Sequence, residues 1–128
     1  MIEKASIDEV FLDLSAMVRE LLLERYPYLR EVPQSAPHGL NSALPSPPHI
    51  VWTARLGHLL PATGPDETPE EDSVTTWGDV ALSIGAELIH DIRTRIREDV
   101  GYTTSGGIAR NKALAKLVAS YRKPNSQV

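Results

Sequence analysis

At the start of the chain stands the sequence Ile2-Glu3-Lys4-Ala5-Ser6-Ile7-Asp8-Glu9-Val10-Phe11-Leu12-Asp13-Leu14. Two short runs rich in β-forming residues, 2–7 and 10–14, flank the acidic pair Asp8-Glu9. Runs of this length and composition are typical of strands. Because only the acidic pair separates them, the two runs are predicted to be antiparallel neighbours, with Asp8 and Glu9 at the tip of a hairpin.

The next part of the chain changes from helical spacing to an irregular composition. Ser15 is a candidate N-cap for a helix from Ala16 to about Tyr26, and Pro27 is expected to stop or bend that helix. The segment 33–69 then holds eight of the ten prolines and has no sustained periodicity. It is therefore predicted to be a largely irregular surface insertion or linker.

The strongest helical pattern follows this insertion. Thr76-x-x-Asp79 resembles a capping box, with Asp in place of Glu or Gln. Apolar residues then recur at four-residue steps, at Val80, Ile84, Leu88, Ile92 and Ile96. A long amphipathic helix is predicted, ending near Glu98, with Gly101 as its terminator.

The last part of the chain predicts a strand and a helix. Residues 102–108 read as a strand that is weakened at Gly106-Gly107. Asn111 is a candidate N-cap for the final helix, and Pro124 makes Lys123 its expected end. The predicted fold class is α+β, with helices covering one face of a mainly antiparallel sheet. The chain divides into 1–31 (hairpin and helix), 32–75 (proline-rich, acidic, flexible insertion) and 76–128 (helix, strand and helix).

The composition excludes several kinds of protein. The chain has no cysteine, so it has neither a disulfide framework nor a thiolate metal site. His38, His49 and His58 match no compact zinc-ligand spacing and are interpreted as surface histidines. No apolar run approaches the roughly 20 residues of a membrane span. The sequence from Met1 to Lys4 does not look like a secretory signal, so no membrane association is expected.

Charge is distributed unevenly along the chain. All 17 acidic residues lie at or before Asp99, whereas only basic charges follow it, at Arg110, Lys112, Lys116, Arg122 and Lys123. Lys112 and Lys116 are four residues apart and share a helix face. Such a face suits phosphate contacts, and a solvated helix face is the alternative interpretation.

Asp8 and Glu9 are the strongest candidates for chemistry. Neighbouring strand residues point to opposite faces, so two adjacent acids can serve one site only where the strand turns. The predicted hairpin tip provides that turn. Repulsion between the two carboxylates would be relieved by a divalent cation, and Mg²⁺ takes carboxylates, waters and substrate phosphates as ligands. Ordinary polar turn composition is the alternative.

These pieces together resemble the palm of the Y-family translesion DNA polymerases. The residues from Glu3 to Leu14 look like the palm motif of the family, and Gly101 to Ile108 with Asn111-Lys112-x-x-Ala115-Lys116 look like its next strand and helix. Lys123-Pro124-Asn125 resembles the Lys-Pro-Asn ending, and the long insertion resembles the eukaryotic eta branch. The resemblance implies part of a polymerase palm, a ferredoxin-like half with a long insertion.

The resemblance also implies a mechanism and a set of roles. In the family, two Mg²⁺ ions bind an acidic cluster, and the partners are primer-template DNA and an incoming deoxynucleotide. Asp8 and Glu9 would be two of the catalytic metal ligands, and Lys123 would contact the nucleotide phosphates. Lys112 and Lys116 would be phosphate contacts or supporting residues, and Asp13 would be structural. A nucleus-located DNA-repair enzyme is implied. Sliding-clamp contacts are not readable from this segment.

The resemblance is partial. The family needs a third palm carboxylate on a further strand, together with fingers, thumb and little-finger domains, and a chain of 128 residues does not supply them. The chain is therefore expected to be inactive alone. Two alternatives stay open: a non-catalytic nucleic-acid-binding or interaction module with a palm-like half fold, and a nucleotidyl cyclase-like palm.

Overall fold

The computed structural model describes residues 1–60, 75–121 and 124–128, and in that part of the chain the sheet is the predicted hairpin. Strands β1 (Ile2–Lys4) and β2 (Val10–Leu12) pair antiparallel with Glu3 opposite Phe11. Each strand is shorter than the run that predicted it. The chain turns between Ala5 and Glu9, and it leaves the sheet after Leu12 to enter the first helix.

The first helix, α1 (Ser15–Arg25), begins one residue earlier than predicted. The assignment of Ser15 as N-cap was wrong, because Ser15 is already helical and Leu14 holds the cap position without a side-chain hydrogen bond. The backbone N–H of Ser15 instead donates to Asp13 Oδ1 at 3.0 Å. At the other end, a 3₁₀ turn from Pro27 to Arg30 follows α1, in agreement with the break expected at Pro27.

The long helix α2 (Trp77–Val100) forms the centre of the fold. Thr76 and Asp79 form the predicted capping box, in which each side chain accepts a hydrogen bond from the other residue's backbone N–H. Gly101 ends the helix in the left-handed region, at φ 76°. Val80 and Ile84 of the predicted stripe are buried together with Ala86, whereas Leu88, Ile92 and Ile96 are half-buried, so the first half of the stripe lies in the core.

The prediction of a strand over residues 102–108 was wrong. Within the part of the chain that the structure describes, this segment makes one parallel bridge, between Gly106 and Gln127. Its backbone bonds on that side go only to the last residues of the chain, for example from Ile108 N–H to Val128 O at 2.8 Å. With three partner residues on one side and a cleft on the other, the segment has too little pairing to form a regular strand.

The last helix, α3 (Lys112–Ala119), starts as predicted but ends early. The Asn111 side chain caps it by accepting from the Leu114 N–H at 2.9 Å. The expected end at Lys123 was wrong by four residues. Ser120 takes the C-cap position, and its hydroxyl donates to Leu117 O, one of the carbonyls that has no partner at a helix end.

The described part of the insertion is irregular apart from a 3₁₀ turn from Gly39 to Asn41, yet it is tied to the core. The Trp77 indole donates to Pro45 O at 2.7 Å, and Leu56 is 9% exposed. Gln127 donates to Leu56 O at 3.0 Å and to Ala86 O at 2.7 Å, so one side chain joins the insertion, α2 and the C-terminal segment. The acidic end of the insertion falls in 61–74, outside the described residues.

None of the helices in the described ranges combines the length and the apolar character that crossing a membrane requires.

Helices α1 and α2 pack together, and Arg25 pairs with both carboxylate oxygens of Glu87, at 3.3 and 2.5 Å. Helix α3 lies against Gly107 so closely that an added Cβ would be 2.1 Å from Ala115 O. Ion pairs of Lys112 with Glu3 and of Lys116 with Glu9 join α3 to the hairpin, where the candidate site lies.

Candidate active site

The hairpin tip is a tight turn that leaves Asp8 exposed. The backbone N–H groups of Ala5 and Ser6 both donate to Glu9 O, at 2.9 and 3.1 Å, and this closes the turn. The Ser6 hydroxyl donates to Asp8 Oδ1 at 2.8 Å and accepts from the Asp8 N–H at 3.4 Å. Ser6 therefore orients the Asp8 carboxylate. The other carboxylate oxygen of Asp8, Oδ2, makes no hydrogen bond to the described residues.

Glu9 faces the last helix. Its Oε2 lies 3.8 Å from Lys116 Nζ, and the two side chains are 45% and 65% exposed. From the sequence, Lys116 had two possible interpretations, a phosphate contact or a solvated lysine. In the structure it is the counter-charge of a candidate metal ligand, and any catalytic role for it stays a prediction.

Lys112 is held in a comparable way one turn earlier on α3. Its Nζ pairs with Glu3 of β1 and lies 5.6 Å from the centre of the Phe11 ring. Glu3 and Phe11 are opposite each other in the hairpin, so Lys112 contacts both members of a cross-strand pair. The basic face of α3 is thus directed at the acidic hairpin, and an exposed pair of this kind contributes at most about 1 kcal/mol to stability.

Asp13 has the structural role expected for it. Hydrogen bonds from Ser15, first from its hydroxyl and then from its backbone N–H, lower the pKa of the Asp13 carboxyl. Its backbone also bonds Met1, since Asp13 N–H donates to Met1 O at 2.8 Å. Asp13 therefore fixes the exit of β2 into α1.

A cleft of about 760 Å³ runs beside β2, with a floor formed by α2. Two residue pairs of the hairpin are joined by backbone hydrogen bonds, Met1 with Asp13 and Ala5 with Glu9. In an antiparallel ladder such pairs alternate with pairs whose backbone groups point outward. The N–H and C=O groups of Val10 and Leu12 therefore point away from β1. Leu12 lines the cleft. One side of the cleft is therefore an open strand edge.

The opposite side of the cleft is also backbone. Gly106 and Ile108 direct their N–H groups at the C-terminal segment, bonding Ser126 O at 2.9 Å and Val128 O at 2.8 Å. Gly107 lies between them, so its own N–H and C=O point the other way, and it lines the cleft. The cleft is thus a gap between two extended backbones that are open to further pairing.

The acidic site is small within the part of the chain that the structure describes. There, no group of three or more His, Cys, Asp or Glu side chains is placed to hold a metal ion. Asp8 and Glu9 share the hairpin tip, whereas Lys123 falls outside the described residues. Carboxylate oxygens are ligands that Mg²⁺ prefers, so Asp8 and Glu9 are chemically suited to bind this ion. Two carboxylates are fewer ligands than a complete Mg²⁺ site requires.

Two residues important for the C-terminal segment were missed in the sequence. Arg93 of α2 donates to Thr104 O at 3.0 Å and to Asn125 Oδ1 at 3.1 Å, and Gln127 is 4% exposed. The position of Arg93 was readable, since it lies four residues after Ile89 and three before Ile96, on the apolar side of the helix. For Gln127 the sequence offers no such signal.

The chain matches a family model and longer curated proteins. Residues 1–120 match the impB/mucB/samB family, and the chain belongs to it. It is 32% identical to "DNA polymerase eta" of Saccharomyces cerevisiae over 99% of its own length, which is 22% of that protein. It is 39% identical to "N-acetyltransferase eso1" of Schizosaccharomyces pombe and 35% identical to "DNA polymerase iota" of Drosophila melanogaster, each over 99% of this chain and 14% of the relative.

The comparisons confirm the family resemblance read from the motifs. The matched region contains Asp8, Glu9, Lys112 and Lys116, and it extends over most of the chain. The chain spans less than a quarter of the length of these curated relatives. It therefore corresponds to one part of a Y-family polymerase.

Proposed function

We propose that this chain is part of the catalytic palm of a translesion DNA polymerase, which extends a primer on damaged template DNA in the nucleus. The observation that carries the proposal is the placement of Asp8 and Glu9 on the exposed tip of the hairpin, beside two lysines of α3. The similarity to polymerases eta and iota supports the reaction class. The α+β core supports a palm.

In this proposal Asp8 and Glu9 hold two Mg²⁺ ions together with groups from outside the described residues. When bound, such ions activate a primer hydroxyl and offset the charge of a triphosphate. Ser6 keeps Asp8 in place through its hydroxyl. Lys116 balances the charge of Glu9 when no cation is present, and Lys123 contacts the nucleotide phosphates.

The missing carboxylate has a structural place in the same proposal. A further strand of the polymerase would pair with the open edge of β2 near Val10 and Leu12, inside the cleft. An acidic residue on that strand would complete the site. Without it the donor set is incomplete, so the 128-residue chain is expected to be inactive.

Metal binding by the hairpin tip tests the proposal directly. Mn²⁺, used as a paramagnetic probe for Mg²⁺, is expected to broaden the amide signals of residues 6–9 in the nuclear magnetic resonance (NMR) spectrum of the chain. The double variant D8N/E9Q should lose this effect. Glu98→Gln, which removes an exposed carboxylate of α2, should keep it. Equal broadening in all three proteins would overturn the assignment of the metal ligands.

A primer-extension assay tests the expected inactivity. The purified chain with Mg²⁺, a primed template and deoxynucleotides should add no nucleotide. Robust addition would contradict the incomplete site. DNA binding that needs no metal and is unchanged in D8A/E9A would favour the non-catalytic binding module instead.

A further inference from the structure

A second cavity, of about 190 Å³, lies along the C-terminal half of α2 and shares no lining residue with the cleft beside β2. One wall is a stripe of α2 side chains at helical spacing, His90, Arg93, Thr94 and Arg97. Thr103, Thr104 and Asn125 form the other wall. Arginine, histidine, hydroxyl and amide groups thus surround the cavity, and none of the described residues that line it carries a carboxylate.

Arg93 is a half-buried cation whose partners are all neutral. It donates to Thr104 O at 3.0 Å, to Gln127 Oε1 at 3.3 Å and to Asn125 Oδ1 at 3.1 Å. Burial lowers the pKa of the Arg93 guanidinium, because the charged form has lost part of its water. Buried charges are generally paired with an opposite charge, and no acidic residue of the described chain pairs with Arg93. A guanidinium has five N–H donors, so these three bonds leave two of them without a partner among the described residues.

Two further groups in the cavity have unused hydrogen-bonding capacity. Thr104 Oγ1 is buried and has no hydrogen-bond partner in the described structure. A buried hydroxyl without a hydrogen-bond partner lowers stability by about 1–3 kcal/mol. A ligand that bonds this hydroxyl would recover that free energy. Arg97 is exposed at the cavity mouth and forms no ion pair with the described residues.

We propose that this cavity is an oxyanion pocket that takes a single phosphate group. The phosphate oxygens accept from the free N–H groups of Arg93, from Arg97 and from the Thr104 hydroxyl. The volume of about 190 Å³ is below the roughly 300 Å³ of typical sites for larger ligands, so it suits a group as small as a single phosphate. The phosphate is therefore either free or part of a chain whose remainder lies outside the pocket, as in a nucleic-acid backbone.

The test uses the 128-residue chain and inorganic phosphate at low ionic strength, followed by NMR. Saturable shifts are expected at the amides of residues 90–97 and 103–104, with a dissociation constant in the millimolar range. Arg97→Ala should weaken binding about tenfold, since it removes one charge-assisted hydrogen bond. Thr104→Val, which replaces the buried hydroxyl by a methyl group, should weaken binding severalfold without loss of thermal stability.

A matched control separates the pocket from general charge. Arg95→Ala removes the same charge from the same helix, but Arg95 pairs with Asp99 at 3.0 Å and does not line the cavity. It should leave phosphate binding unchanged. Equal weakening by Arg95→Ala and Arg97→Ala, an unchanged affinity in Thr104→Val, or no saturation in the millimolar range would each overturn the proposal.

A second arm distinguishes the source of the phosphate. A short single-stranded oligothymidine that shifts the same amides, and competes with inorganic phosphate for them, assigns the pocket to a nucleic-acid backbone. Binding of inorganic phosphate without such competition assigns it to a free phosphate. Both outcomes support an oxyanion pocket, and neither depends on the proposed polymerase function.

Discussion

Lys116 Nζ lies 3.8 Å from Glu9 Oε2, so the last helix places a positive charge where a metal ion would bind. A unit charge at about 4 Å is worth about 1 kcal/mol in water. Lys116→Ala is therefore expected to raise the affinity of the hairpin tip for Mn²⁺ by up to about fivefold. Lys112→Ala is the control, because it removes the same charge from the same helix but frees Glu3 instead. Equal effects of Lys116→Ala and Lys112→Ala would contradict a specific action of the Lys116 charge on the metal site.

The capping box of α2 gives a prediction for stability. Thr76→Ala removes the side chain that accepts from the Asp79 N–H at 3.2 Å. The loss should be about 1 kcal/mol, which lowers the melting temperature by about 4 °C for a chain of this size. Thr75→Ala changes the neighbouring residue outside the cap and should shift the melting temperature by less than half as much. Equal shifts, measured by thermal circular dichroism, would exclude a specific role of the cap.

At Gly107 the backbone of residues 106–108 lies directly against the backbone of α3. A Cβ there would lie 2.1 Å from Ala115 O and 2.5 Å from Ala119 N, so Gly107→Ala would force α3 away from residues 106–108. A cost of about 3 kcal/mol in the free energy of unfolding is expected. Gly101→Ala is the comparison, since nothing lies within 4 Å of its added methyl and only the positive φ is strained. Its expected cost is about 1 kcal/mol. A denaturant titration that gives Gly107→Ala the smaller cost would contradict the close packing of α3.

Asp13 predicts a pH dependence. Hydrogen bonds from Ser15 lower the pKa of its carboxyl, so the ionised form stabilises the folded chain. This stabilisation is present above the unfolded pKa of about 3.9 and is lost as the pH falls through the lower, folded-state pKa. NMR titration of Asp13 should give a midpoint below that of an unfolded peptide. Ser15→Ala should raise the midpoint, because the Ser15 hydroxyl is the largest cause of the shift. A midpoint unaffected by Ser15→Ala would assign the shift to the backbone.

The parts of the fold that could be predicted from the sequence are those set by local chemistry. Thr76 with Asp79, Gly101 and Asn111 each act through hydrogen bonds or backbone angles within a few residues, and all three have the predicted roles. The hairpin was predictable for the same reason. Residues 102–108 were not, because a strand needs partners and the one bridge it makes is to Gln127, twenty-one residues after Gly106.

In the candidate site, too, local features could be predicted from the sequence and long-range contacts could not. The placement of Asp8 and Glu9 at the tip follows from two short strand patterns around an acidic pair. The pairing of Glu9 with Lys116 does not, because it depends on how α3 packs across Gly107 onto the hairpin. The stripe of α2 showed where Arg93 lies, whereas its acceptors on Asn125 and Gln127 come from a segment with no recognisable pattern.

The side chain of Gln127 also has a consequence for the order in which the protein matures. Leu56 O accepts a hydrogen bond from the Gln127 side chain, and the His58 N–H donates to Gln127 O; Gly57 lies so close that an added Cβ would be 2.5 Å from Gln127 O. During synthesis on the ribosome, about seventy residues are made between Leu56 and Gln127. The docking of residues 56–58 is therefore complete only after the 126–128 segment has been made, whereas the bonds from Trp77 to Pro45 and from Arg55 to Asp91 can form earlier.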